Sequence, residues 1–119
     1  MKLQIVAIAN RGVANQERVH LRVLADANLS YYVLLDTTYL RPEAISNLLR
    51  HAYWFPSHQV KAGDNVVLYS GPGIQQSQPN LVGGTNHFFY WGLKETVWNK
   101  TGDCAVLMEL ANWQTSRYE

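Results

Sequence analysis

Four histidines, His20, His51, His58 and His87, are the side chains of this 119-residue chain most easily poised for proton transfer near neutral pH. None sits in a diagnostic motif. His51 and His58 flank Tyr53-Trp54-Phe55-Pro56, a spacing that misses the i,i+4 pair of a helical zinc site. A hydrolytic enzyme would therefore need a histidine cluster assembled by folding alone. Ser70-Gly71-Pro72-Gly73 lacks the lysine and hydroxyl ending of a phosphate loop and reads as a strand connection. Cys104, the single cysteine, opens an alternating apolar stretch to Leu110, so it is expected to be packed rather than to act as a nucleophile. Asp64 and Asp103 each follow a glycine, Gly63 and Gly102, at a strand entrance, where a carboxylate satisfies turn amides. No catalytic, cofactor-binding or metal-ligating residue is assigned, and no cofactor is expected.

The residues that could bind are of another kind. Arg18, His20 and Arg22 alternate with Val19, Leu21 and Val23 and form one face that could contact phosphate or a protein surface. Trp91 and Trp98 offer stacking area to sugars or bases, although a core role is expected for at least one of them. A formal net charge of +1 creates no global field for gathering nucleic acid, acidic lipid or acidic substrate, so any such binding must be local.

Positioning these groups falls to short strands. Glu17 to Leu24 alternates cleanly, and Leu3 to Ala9, Tyr31 to Leu35, Asn65 to Tyr69, Asn86 to Gly92 and Cys104 to Leu110 read as further strands near turn-forming residues. Without helical crossovers between them, antiparallel sheets packed as a sandwich are expected. One segment breaks the pattern. From Pro42 to Ala52, residues Ile45, Leu48, Leu49 and Ala52 fall at i, i+3, i+4 and i+7, which predicts a short amphipathic helix begun at Pro42 and bounded by Pro56. Its outward side would carry Glu43, Asn47 and Arg50 as partner-binding candidates beside Arg18, His20 and Arg22. Gln75 to Gly84 is too polar for a core element and is expected to be a loop.

Length and a 47% hydrophobic content suit one domain with one core, spanning 1–119. Leu3 to Ala9 is too short to cross a bilayer and lacks a signal-peptide cleavage pattern, so the triplet Asn99-Lys100-Thr101 is not expected to be glycosylated. A lone cysteine fits a reducing compartment, and a cytoplasmic location is expected.

Four groups of residues together resemble the lamin-tail domain, in its bacterial form, an immunoglobulin-like sandwich. Glu17-Arg18-Val19-His20-Leu21 is similar to the family segment after the first strand, and Asn28 to Asp36 to its turn and strand, with Tyr31-Tyr32 standing where the family has glycine and tryptophan. Phe55-Pro56, Val60 to Tyr69 and Ser70-Gly71 resemble the family's centre. Tyr90-Trp91-Gly92 followed by Val97 to Leu107 resembles its ending. The resemblance runs from Leu3 to Leu110 and departs from the family in the longer helix-bearing insertion at about 37–54. It implies an all-β, immunoglobulin-like antiparallel β-sandwich with one short inserted α-helix.

Function does not transfer with such a fold, because a shared sandwich displays unrelated sites. The expected function is that of a noncatalytic interaction module for a macromolecular partner, most plausibly protein, with nucleic acid or carbohydrate as other partner classes. The alternatives are a small hydrolytic enzyme with a spatial histidine cluster and a carbohydrate-binding module. A pocket joining two histidines to a carboxylate would favour the enzyme, a flat Trp-Tyr platform the sugar, and an apolar patch the protein.

Overall fold

The computed structural model describes residues 1–41, 44–45, 49–99 and 101–118. β1 (Leu3–Ala9) and β2 (Arg18–Val23) pair antiparallel, and β3 (Ala27–Asn28) leads through a single 3₁₀ turn at Leu29–Tyr31 into β4 (Tyr32–Arg41). Then come β5 (Ala44–Ile45), β6 (His51–Trp54) and β7 (Gln59–Val60), followed by β8 (Asn65–Tyr69), β9 (Gln76–Pro79), β10 (Thr85–Tyr90) and β11 (Asp103–Glu109). The fold is nearly all-β.

One sheet has the order β1-β2-β8-β10-β9. In the other, β4 pairs with β11 along one edge and with β6 and β5 along the other, while β3 and β7 form a small separate ladder. Alternation decides what is buried. Val19, Leu21 and Val23 of β2 meet Val66 and Leu68 of β8 and Phe89 of β10 in one core with Tyr32 and Leu34 of β4. Trp98 closes that core and is fully buried, whereas Trp91 is half-buried against it, so the tryptophan expected inside is Trp98.

The turn glycines behave as their positions require. Gly63 and Gly102 take φ of +92° and +90°, a left-handed backbone that a β-carbon disfavours. At Gly63 nothing lies near a notional β-carbon, so backbone conformation rather than space selects glycine there.

Three expectations are corrected. The helix from Pro42 to Ala52 does not form at its described residues: Ala44–Ile45 and His51–Trp54 are strands hydrogen-bonded to β4, and Leu49 and Ala52, expected on a buried helical face, are exposed. Pro42, Glu43, Asn47 and Leu48 lie outside the described residues. Short apolar runs are compatible with either period, and an open edge of β4 supplies backbone partners that sequence spacing cannot register. Second, Gln76–Pro79 is not loop but the exposed edge strand β9. Pro79 suits it, since an edge tolerates a residue without an N–H. Third, β8 and β10 pair parallel, against the antiparallel expectation. The 70–84 connection is long enough for a same-direction return, and it carries β9 down the far side of β10 on the way.

Candidate functional site

The register of the five-stranded sheet stacks its outward side chains in rows. Arg18 lies beside Tyr69, which lies beside Tyr90. His20 lies beside Val67 and then Phe88, and Arg22 beside Asn65 and then Asn86. All of these except Tyr90 border a cleft of about 470 Å³ on the outer face. No Asp or Glu occupies any of these positions.

Cationic and flat groups interleave here. The Tyr69 and Tyr90 rings stack at 5.1 Å with planes 13° apart, and the Arg18 guanidinium sits 5.6 Å from the Tyr69 centroid. Arg18 Nε donates to His20 Nε2 at 3.1 Å, and Arg18 also donates to the Gln16 carbonyl, which fixes its head over the ring. Burial, and then the charge of Arg18, lowers the His20 pKa, so His20 is a neutral acceptor at neutral pH. Asn65 donates to the Asn86 side chain at 3.1 Å and continues the polar floor beside exposed Arg22. Arg18, His20 and Arg22 are thus brought together as their alternation predicts. Tyr69, Phe88 and Tyr90 join them from other strands, and their shared parity with Asn65 and Asn86 was the available signal.

Arg50 is placed otherwise. It precedes β6 and reaches two buried carboxylates, Asp36 at 3.5 Å and Asp103 at 3.2 Å, and also hydrogen-bonds Thr38. It is not the outward residue of a helix. Glu43 and Asn47, the other two candidates of that segment, lie outside the described residues. Cys104 is buried, as expected, and sits opposite Thr37; it is Ala105 and Leu107 of the same strand that turn to the core. Burial, with Asp103 beside it, pushes the thiol pKa up.

Folding also assembles a histidine cluster. His87 Nε2 lies 2.9 Å from Asp64 Oδ2, and His87 Nδ1 lies 2.9 Å from both His58 Nε2 and Ser77 Oγ. Asp64 takes its expected turn role at the same time, accepting the Lys61 and Thr85 amides at 3.0 Å each. Burial opposes its ionisation, but these amides and His87 together hold its pKa below the ordinary carboxylate value. The His58 pKa is lowered by burial and then by the neighbouring His87. Sequence spacing had no means of joining His58 to His87, because the two meet only where the segment before β7 crosses the inner face of β10. No group of three or more His, Cys, Asp and Glu among the described residues is arranged to hold a metal ion.

A third cluster lies on the other sheet. Trp113 packs edge-on against Tyr31 and Trp54, each at 5.2 Å between centroids, and Trp54 Nε1 donates to the Ser30 carbonyl. All three rings are between 44% and 47% exposed, an uncommon outlay of aromatic surface. Interplanar angles of 69° and 85° prevent them from forming the common flat platform that stacks a sugar. No helix among the described residues is long and apolar enough to cross a membrane. Compared with family models, curated proteins and solved structures, the chain matches none of them.

Proposed function

We propose that the chain is an interaction module that holds a macromolecular partner on the outer face of its five-stranded sheet, and that the partner there is single-stranded nucleic acid. The observation that carries this reading is a cleft lined by Arg18, Arg22, Tyr69 and Phe88 with no carboxylate in its lining, where Arg18 sits over Tyr69. Cations draw a phosphate backbone, and the partly exposed Tyr69, Phe88 and Tyr90 rings offer aromatic surface to unpaired bases. A fluorescently labelled single-stranded oligonucleotide should bind at low salt and dissociate as salt rises. Arg18→Ala with Arg22→Ala should weaken binding and flatten the salt slope by about 1.4. Absence of binding at low salt would remove this reading.

The protein partner expected from the sequence has its support on the opposite sheet, where Tyr31, Trp54, Trp113 and Met108 expose aromatic and thioether surface of the kind enriched at interface centres. We propose, too, the lamin-tail-like, immunoglobulin-like form of the fold. Its support is the order of the four motifs together with two sheets enclosing one core.

A further inference from the structure

We infer that Ser77 is a nucleophile activated by His87 and oriented through Asp64, able to take the acyl group of a small activated carboxylic ester. The proposal is independent of the outer-face reading, because Ser77 and His87 pair across β9 and β10 with opposite parity to Phe88 and Asn86 and so lie on the other side of the sheet.

The proton assignment follows from the acceptors. An ionised Asp64 carboxylate can only accept, so His87 Nε2 carries a hydrogen, and in the neutral imidazole Nδ1 is then the nitrogen with the lone pair. That lone pair lies 2.9 Å from Ser77 Oγ, within reach for deprotonating the hydroxyl. Asp64 is itself held by the two backbone amides of Lys61 and Thr85, so the imidazole has a fixed orienting group. Ser77 sits on an exposed edge strand, open to a reagent from solvent, whereas His87 beneath it is 7% exposed. His58 is a positioning residue. Its Nε2 lies 2.9 Å from the same Nδ1, so it orients the His87 ring and can accept the Nδ1 hydrogen once His87 has become an imidazolium.

The step balances without a co-reactant beyond water. Ser77 Oγ forms a bond to the ester carbonyl carbon as its proton passes to His87 Nδ1, and the bond to the leaving alkoxide breaks as that proton is returned to it. Water then gives a proton to the same nitrogen as its oxygen bonds to the acyl carbon; the bond from that carbon to Oγ breaks, the acid leaves, and the proton passes from Nδ1 to Oγ, restoring the Ser77 hydroxyl and neutral His87.

The test uses the whole chain and a fluorophosphonate, which phosphonylates activated serines, followed by intact mass and peptide mapping. One adduct per chain on Ser77 is expected, absent in Ser77→Ala and slowed by at least about 100-fold in His87→Gln. Ser77→Ala changes only an exposed edge residue, so its fold and its oligonucleotide binding should equal those of the parent chain. If His87→Gln does not fold, His58→Gln serves instead, with an expected change in the pH profile of labelling. No adduct, an adduct on another residue, or equal labelling rates in folded His87→Gln would overturn the proposal and leave the cluster a structural tie between strands.

Discussion

Glu17 and Trp98 are joined through a buried carboxylate: Glu17 Oε2 accepts the Trp98 amide at 3.0 Å while Oε1 accepts the Val97 amide at 2.7 Å. Oε2 also accepts the Gly12 amide, so one fully buried side chain before β2 closes three backbone donors. Two segments 80 residues apart in sequence, one at Glu17 and one at Val97, thereby meet in space. Glu17→Ala should orphan the buried Val97 and Trp98 amides, each costing about 1–3 kcal/mol without a partner, while exposed Gly12 can turn its amide to water. Urea denaturation should show a loss of at least about 2 kcal/mol. A loss under about 1 kcal/mol would mean that water replaces the carboxylate.

Asp36 should matter more than the arginine that reaches it. Asp36 is 1% exposed and accepts the His51 amide at 2.6 Å and His51 Nδ1 at 3.0 Å besides meeting Arg50. Asp36→Ala is expected to cost about 3 kcal/mol, whereas Arg50→Ala, whose side chain is 43% exposed, should cost about 1 kcal/mol. Thermal melts of the two variants in the same buffer decide the order, and the reverse order would refute it.

Cys104 should resist thiol reagents. It is 8% exposed and its pKa is raised, so the reactive thiolate is both scarce and covered. Labelling by a bulky disulfide reagent in the folded chain should run at least about tenfold slower than for free cysteine and reach the free rate in urea. Cys104→Ser should destabilise by about 1–3 kcal/mol by placing a hydroxyl where sulfur was. Labelling at the free rate with the fold intact would show that the thiol is open.

Stability should rise with pH from the acid side in two stages. His20 and His58 have folded pKa values below the unfolded value of about 6.5, so in the window below it the unfolded chain binds more protons. Their contribution is complete above that value and is lost as pH falls through the lowered folded values. Asp64 adds a second loss below about pH 4, as its own depressed folded pKa is crossed. Melting temperature should therefore fall between pH 7 and 5, and His20→Gln with His58→Gln should flatten that slope while leaving the steeper acid limb. An unchanged slope in the double variant would assign the transition to other groups.

Periodicity made the main strands legible, since β2 declares Val19, Leu21 and Val23 inward and Arg18, His20 and Arg22 outward whatever it packs against. Glycine before aspartate announced the turns at Gly63 and Gly102, because a left-handed backbone is a local requirement. Local chemistry also placed Cys104 under cover. The outer face was legible only by half: β2 showed its cations, but nothing local stated that Tyr69 and Tyr90 would stand beside Arg18.

Tertiary structure decided what depends on a neighbour. Edge pairing with β4 made strands of His51–Trp54 and Ala44–Ile45, where spacing alone favoured a helix, and it turned Arg50 inward to Asp36 and Asp103. The return path of the 70–84 segment chose a parallel partner for β8 and set Ser77 against His87. A side chain's face follows from the two-residue period of its own strand, whereas its partner follows from register between strands distant in sequence. For that reason Asp64 could be read as a turn residue from its sequence, while its hold on His87 appears only once β8 and β10 lie side by side.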